Sequence, residues 1–173
     1  MTKNSITRKC FLSGTFLFST SLIGSPFRLL SLPQEKPPAI DAKIVNEFVK
    51  IAHNDFNLLK EMLLEYPLLL NAAWDWGGGD FETAIGAAGH MGLIETATYL
   101  LSKGARADLF VLTMLGKTDI VKSILVEFPS LLNASGPHGF TLLHHAEKGG
   151  KASSELFDHL QILGLTVKHR KLY

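Results

Sequence analysis

One seven-residue pattern occurs twice in this chain and limits what the chain can fold into. The segment EYPLLLN at 65–71 returns as EFPSLLN at 127–133. Each copy follows a stretch with apolar residues at three- and four-residue steps, which is the period of an amphipathic helix. Proline lacks the amide hydrogen that a helix interior needs, so each helix is predicted to stop just before it. Two copies with a further unit between them indicate an array of repeated helical units.

The unit is clearest in TAIGAAGHMGLIETATYLLSKGARAD at 83–108. This segment resembles the ankyrin repeat, with Thr83 at the threonine position and Gly92 at the turn between two helices. The segment GFTLLHHA at 139–146 is a second match, and weaker units surround Asp55 and Gly116. The resemblance implies an all-α ankyrin-repeat solenoid of about four helix-turn-helix units with irregular or missing hairpin fingers.

The turn positions of these units are unevenly spaced. Positions 55, 92 and 116 lie 37 and 24 residues apart, whereas the usual ankyrin period is about 33. The long interval predicts an insertion at WDWGGG, and the short one predicts a missing finger at Asp108. Since one helix pair cannot bury both of its apolar faces, stacking of neighbours is expected to form the core. The expected core residues are Leu59, Leu63, Ile85, Ala88, Leu100, Leu101, Leu112, Val121, Leu125, Leu143, Ala146 and Leu160.

The N-terminal region differs in composition from the remainder. Residues 1–30 are predicted to be an export signal or N-terminal anchor, 31–40 a proline-rich linker and 41–173 the folded domain. TRKCFL at 7–12 resembles the twin-arginine export motif, with Lys9 in place of the second arginine. The sequence therefore predicts a periplasmic or otherwise exported protein, tethered to a membrane only if the leader stays uncleaved.

Charge and cysteine content exclude several classes of function. The chain has 17 Lys and Arg residues against 16 Asp and Glu, and four of the basic residues precede the first acidic one, Glu35. The remainder is slightly acidic, which argues against nucleic-acid binding. The single cysteine, Cys10, lies in the predicted leader, so neither a disulfide nor a thiolate zinc site is expected in the mature chain. The protein is predicted to be a monomer.

The inserted finger around WDWGGGD is the predicted binding surface. Tryptophans beside charges are typical of interface hot spots, and Gly77 to Gly79 are expected to adopt positive φ. An alternative left open is that Trp74 and Trp76 fold back onto the first units. We predict a scaffold that binds an unidentified protein partner, without catalysis, metal or cofactor. The predicted contact residues are Trp74, Asp75, Trp76, Asp80, Phe81, Glu82, His90, His138, Phe140 and His145.

Two metal-binding hypotheses are alternatives to the scaffold prediction. A small metal-dependent hydrolase would use His90, Asp75, Asp80, Glu82 and His138 around the same groove. A calcium site would use the three carboxylates of the finger, although their order does not fit an EF-hand. His144 is expected to bond a backbone group, as this position does in ankyrin repeats. His145 should face outward or toward the groove, and adjacent helical residues diverge too far to share one ion.

Overall fold

Eight α-helices in four consecutive pairs make up most of the computed structural model, which describes residues 36–173. Within each pair the two helices pack together, and the first helices of successive pairs pack side by side. The compact unit spans Pro38–Tyr173. The helices are α1 (Ala42–Ile51), α2 (Phe56–Glu65), α3 (Ala84–Met91), α4 (Ile94–Ser102), α5 (Leu109–Met114), α6 (Thr118–Glu127), α7 (Leu142–Lys148) and α8 (Ser154–Ile162).

Short polar side chains begin several of these helices. Asp41, Asp55, Thr83 and Asp108 each accept a hydrogen bond from a backbone N–H in the first turn of the helix that follows. These bonds satisfy amide groups that have no partner inside the helix. Asp108 begins α5 directly, and no strand pair lies between α4 and α5 in the described chain.

The two proline motifs end helices as predicted. Helix α2 stops at Glu65 and α6 at Glu127, and a 3-10 turn follows each, at Pro67–Asn71 and Pro129–Asn133. Two further 3-10 turns lie at Pro137–Gly139 and Gly150–Ser153.

The prediction of an all-α ankyrin-repeat solenoid is wrong, because the described residues form a mixed structure. Between α2 and α3 the chain forms an antiparallel two-stranded sheet, with β1 at Ala73–Asp75 and β2 at Phe81–Thr83. Trp74 lies opposite Glu82 in this hairpin. The physical reason is local: Asp75 accepts hydrogen bonds from the N–H groups of Gly77 and Gly79, and the three glycines take positive φ as predicted. The tight turn pairs the flanking segments as strands.

The core consists of two groups of buried apolar side chains, and α5 contributes to both. Most of the predicted core residues are buried, including Leu59, Ile85, Leu100 and Leu160. Leu101 and Leu112 are only half-buried and pack at the margins of the two groups.

The predicted leader, residues 1–30, and the first half of the predicted linker lie outside the described residues. From residue 36 to 173, no helix is both long and apolar enough to cross a membrane.

His145 faces the interior, which corrects the prediction that it faces outward or toward the groove. Its side chain is buried, and its Nδ1 donates to the carbonyl oxygen of Thr141 at 2.8 Å. Phe110 packs against the ring. Burial disfavours the charged imidazolium and lowers the pKa of His145 to about 4, so the native protein holds this ring neutral.

This burial predicts an acid-dependent loss of stability. The unfolded chain takes up a proton at His145 near pH 6.5 and the native state only near pH 4, so stability falls as the pH drops between these values. The expected loss is about 3 kcal/mol, at about 1.36 kcal/mol per pKa unit. His145→Gln cannot titrate there and should flatten the pH profile. Urea unfolding of both proteins with chelator, from pH 7.5 to 4, measures the difference; parallel profiles would contradict the assignment.

Candidate metal centre

Four side chains from four separate segments converge at one point beside the hairpin. His53 lies in the turn after α1, Glu82 on β2, His90 near the end of α3 and His138 in the 3-10 turn before α7. One ligating atom from each of the four lies within 4.8 Å of those from the other three. Glu82 and His90 are buried, whereas His53 and His138 retain 21% and 28% of their side-chain exposure. The cluster is therefore buried on one side and reaches the surface on the other.

The separations between donor atoms are short and similar. His90 Nε2 lies 2.9 Å from Glu82 Oε1 and 3.2 Å from His53 Nε2. Glu82 Oε2 lies 3.4 Å from His53 Nε2 and 3.3 Å from His138 Nε2. All three imidazoles thus direct Nε2 toward the same carboxylate.

The other ring nitrogens of two imidazoles are held by acceptors outside the cluster. His53 Nδ1 lies 2.9 Å from the carbonyl oxygen of Val49, and His138 Nδ1 lies 2.8 Å from Asp80 Oδ2. A carbonyl or carboxylate oxygen can only accept, so each Nδ1 carries the proton. In the neutral rings, Nε2 of His53 and of His138 is then a bare lone pair that faces the centre.

Glu82 is a buried carboxylate whose two oxygens face different partners. Its Oε2 accepts a hydrogen bond of 2.8 Å from the indole N–H of Trp76. Its Oε1 is buried and lies 2.9 Å from Nε2 of His90. Burial alone would raise the pKa of this carboxyl, but the adjacent His90 and His53 rings and the Trp76 N–H together hold the pKa below its ordinary value. The group is therefore a carboxylate.

Acceptor atoms consequently face one another at the centre. The Nε2 atoms of His53 and His138 face Glu82 Oε2, and Nε2 of His90 faces Oε1. One ligating atom from each of the four residues lies within 4.8 Å of those from the other three. Without an ion, a proton on His90 Nε2 can bridge to Glu82 Oε1 and to His53 Nε2; a cation in the middle would replace that proton. The geometry is suited to binding a metal ion.

The hairpin supplies the groups that support the cluster. Its side chains alternate, as strand side chains do: the even positions Trp74, Trp76, Asp80 and Glu82 are at least half-buried, while Asp75 and its neighbour across the ladder are exposed. The fold-back alternative for the tryptophans is thus the observed arrangement, with Trp74 packed on the core.

Asp80 fixes the loop that carries His138. Besides binding the ring, Asp80 accepts a hydrogen bond of 2.9 Å at Oδ1 from the backbone N–H of His138. His138 is the one non-glycine residue with positive φ in the described chain, at 58°, a conformation that non-glycine residues seldom adopt without support. The next residue, Gly139, accepts a backbone hydrogen bond from Arg170 at its carbonyl, so the C-terminal segment holds the same loop.

The remaining predicted site residues lie outside the cluster of His53, Glu82, His90 and His138. Phe81 is 61% exposed at the hairpin, and Phe140 is stacked between His90 and His144. His144 donates from Nε2 to the carbonyl oxygen of His90 at 2.9 Å, which confirms its predicted backbone bond. The calcium hypothesis is wrong, because the three carboxylates of the hairpin do not face one point. Asp75 contacts glycine amides, Asp80 contacts His138, and Glu82 contacts the imidazole cluster.

His53 is the one cluster member that the sequence analysis did not single out. The sequence does contain a signal for it in the register of the units. His53 precedes the turn position Asp55 by two residues, and His90 precedes the equivalent Gly92 by two residues. The same position in successive helix pairs therefore places two imidazoles side by side.

Asp80→Ala should loosen the loop that carries His138. The variant removes both hydrogen bonds from a mostly buried carboxylate, at an expected cost of about 1–3 kcal/mol in unfolding free energy. Amide exchange at His138 should accelerate, since its N–H loses its acceptor. Asp75→Ala is the matched control, since it removes a carboxylate from the same hairpin that does not touch the loop. Equal exchange at His138 in both variants would show that Asp80 does not hold the loop.

Neither protein-family models, curated proteins nor solved structures gave a match to this chain. The ankyrin resemblance of the sequence stays a prediction.

Proposed function

We propose that this protein binds one divalent transition-metal ion, with zinc preferred, through His53, Glu82, His90 and His138. The observation that carries the proposal is the convergence of four ligating atoms, one from each of these residues, within 4.8 Å of one another. A cation at this point satisfies every facing acceptor at once. Three imidazoles and one carboxylate supply four donors, the number that zinc sites most often use.

The donor types and their spacing favour zinc over other ions. Imidazole nitrogen suits zinc, copper, iron and nickel, whereas calcium and magnesium take oxygen donors. Zinc–nitrogen bonds of about 2.0–2.1 Å in a tetrahedron separate the ligand atoms by about 3.3 Å. The four shortest contacts in the cluster are 2.9–3.4 Å, and all four ligating atoms lie within 4.8 Å of one another, so small side-chain movements would complete the tetrahedron.

The distances also argue for Glu82 as a ligand. A general base that acts on a metal-bound water lies one hydrogen bond, about 2.6–3.2 Å, from the oxygen of that water. It is therefore farther from the ion than the ligand atoms are. Glu82 Oε1 lies 2.9 Å from His90 Nε2, closer than the 3.2 Å between His90 Nε2 and His53 Nε2. A hydrolase in which Glu82 activates water is therefore not part of this proposal.

Binding at this point would join segments that are distant in the chain. The ligands extend from residue 53 to residue 138 and tie the end of α1, the hairpin, α3 and the loop before α7 to one atom. Because the unfolded chain lacks such a site, metal affinity would contribute directly to folding stability.

The purified full chain should bind one zinc or cobalt ion per molecule. His53→Ala should weaken that affinity on the order of 100-fold or more, because loss of an outer partner alone typically costs 10–100-fold. Isothermal titration with zinc, together with elemental analysis, measures both quantities. His53 is the best ligand to replace, since it lies in a turn and is partly exposed.

His159→Ala is the matched control for this experiment. His159 lies on α8, outside the cluster, and its replacement should leave zinc affinity unchanged. Equal affinity in the two alanine variants, or no stoichiometric binding by the unaltered chain, would overturn the proposal.

A second candidate function is the protein-partner scaffold, favoured by the exposed ring of Phe81. This ring borders an open trough of about 470 Å³ that also touches Phe110, Pro137 and Tyr173. Exposed aromatic side chains beside a concave surface are typical of protein interfaces. This function would use the outer face of the hairpin and would not compete with the ion on its inner face.

Photo-crosslinking tests the second candidate. A photoreactive residue at position 81, in the cells that make the protein, should join a discrete protein. The same residue at Ile162, which is 82% exposed on α8, should not. Identical product patterns from the two positions would mean that the trough has no specific partner.

A further inference from the structure

We infer that Trp76 is the positioning residue of the metal centre: its indole fixes the carboxylate of Glu82 for one-oxygen ligation and covers the solvent side of the ion. This inference rests on the proposed metal binding. It assigns a role to the WDWGGGD segment that a partner-binding finger does not require.

The first step is the hydrogen bond between Trp76 and Glu82. The indole N–H occupies Oε2 at 2.8 Å, while Oε1 lies 2.9 Å from Nε2 of His90. A carboxylate that binds a metal through one oxygen commonly has its other oxygen held by an outer hydrogen bond, which orients the group. Trp76 thereby leaves Oε1 for the ion and opposes rotation of the carboxylate to a two-oxygen mode.

The second step is the position of the indole ring relative to the exposed imidazoles. Trp76 lies edge-on to His53, with ring centroids 6.1 Å apart, and 5.7 Å from His138. These two rings are the cluster members that retain exposure. The indole therefore stands over the side of the cluster from which water or a competing ligand would approach.

Trp74, on the same hairpin, makes different contacts from Trp76. Trp74 packs against the main apolar group and has no hydrogen bond to a ligand residue among those of the described chain. The two tryptophans differ by two positions, share a face of the hairpin and are the only tryptophans of the protein. Replacement of either by phenylalanine is the same chemical change, so Trp74→Phe is a matched control for Trp76→Phe.

The experiment compares these two variants in the metal-loaded full chain. Trp76→Phe should release zinc to excess chelator about 10–100-fold faster than the unaltered protein, while Trp74→Phe releases it at the unaltered rate. With cobalt, Trp76→Phe should show weaker visible absorption, because a freed carboxylate can bind through two oxygens and raise the coordination number. A residue that served only packing would not alter the cobalt spectrum.

A second measurement needs no change at position 76. In Trp74→Phe the indole of Trp76 is the sole tryptophan, and cobalt binding should strongly quench its fluorescence, because the ring lies against two ligands. Equal release rates and identical cobalt spectra for both variants would overturn the role of Trp76, as would unquenched fluorescence. Failure of the unaltered chain to bind any metal would instead overturn the proposed function, so the two failures are distinguishable.

Discussion

The carboxylate of Glu82 among three imidazoles is the interaction on which this structure depends most. A buried carboxylate is costly unless positive charge or hydrogen-bond donors compensate it; Trp76 donates to one oxygen of Glu82, and His90 Nε2 lies 2.9 Å from the other. The four segments that meet there come from different parts of the chain. Their arrangement, including the positive φ of His138, is consistent with one central cation that replaces several weaker compensations.

Each side chain of the cluster has a neighbouring group that sets its orientation. Val49 and Asp80 hold the outer nitrogens of two rings, and Trp76 holds the outer oxygen of the carboxylate. The third ring, His90, is held by stacking on Phe140 rather than by such a bond. Outer partners of this kind determine which tautomer is present and how basic each ligand is. The inserted hairpin supplies two of the partners and one ligand, which explains why its composition is so distinctive.

Local features of the fold could be predicted from the sequence because they depend on neighbouring residues. The helix ends before Pro67 and Pro129 follow from the missing amide hydrogen, and the turn at Gly77 to Gly79 follows from the freedom of glycine. The sheet was missed because each strand has three residues, too few for alternation to stand out. Alternation does exist across the turn, however, and it would have placed Trp74 and Trp76 inward with Glu82 and left Phe81 outside.

The cluster of His53, Glu82, His90 and His138 could not be predicted from spacing along the chain, because its members follow no continuous motif. Two of them do occupy equivalent positions: His53 and His90 each precede a turn position, Asp55 and Gly92, by two residues. When successive helix pairs pack with their first helices side by side, equivalent positions become neighbours. Histidines at the same position of two successive helix pairs, His53 and His90, therefore lie next to each other. Glu82 from the intervening hairpin joins them in a cluster that neither pair could form alone. His138 enters from the next connection between pairs, so the centre depends on the packing of three successive units.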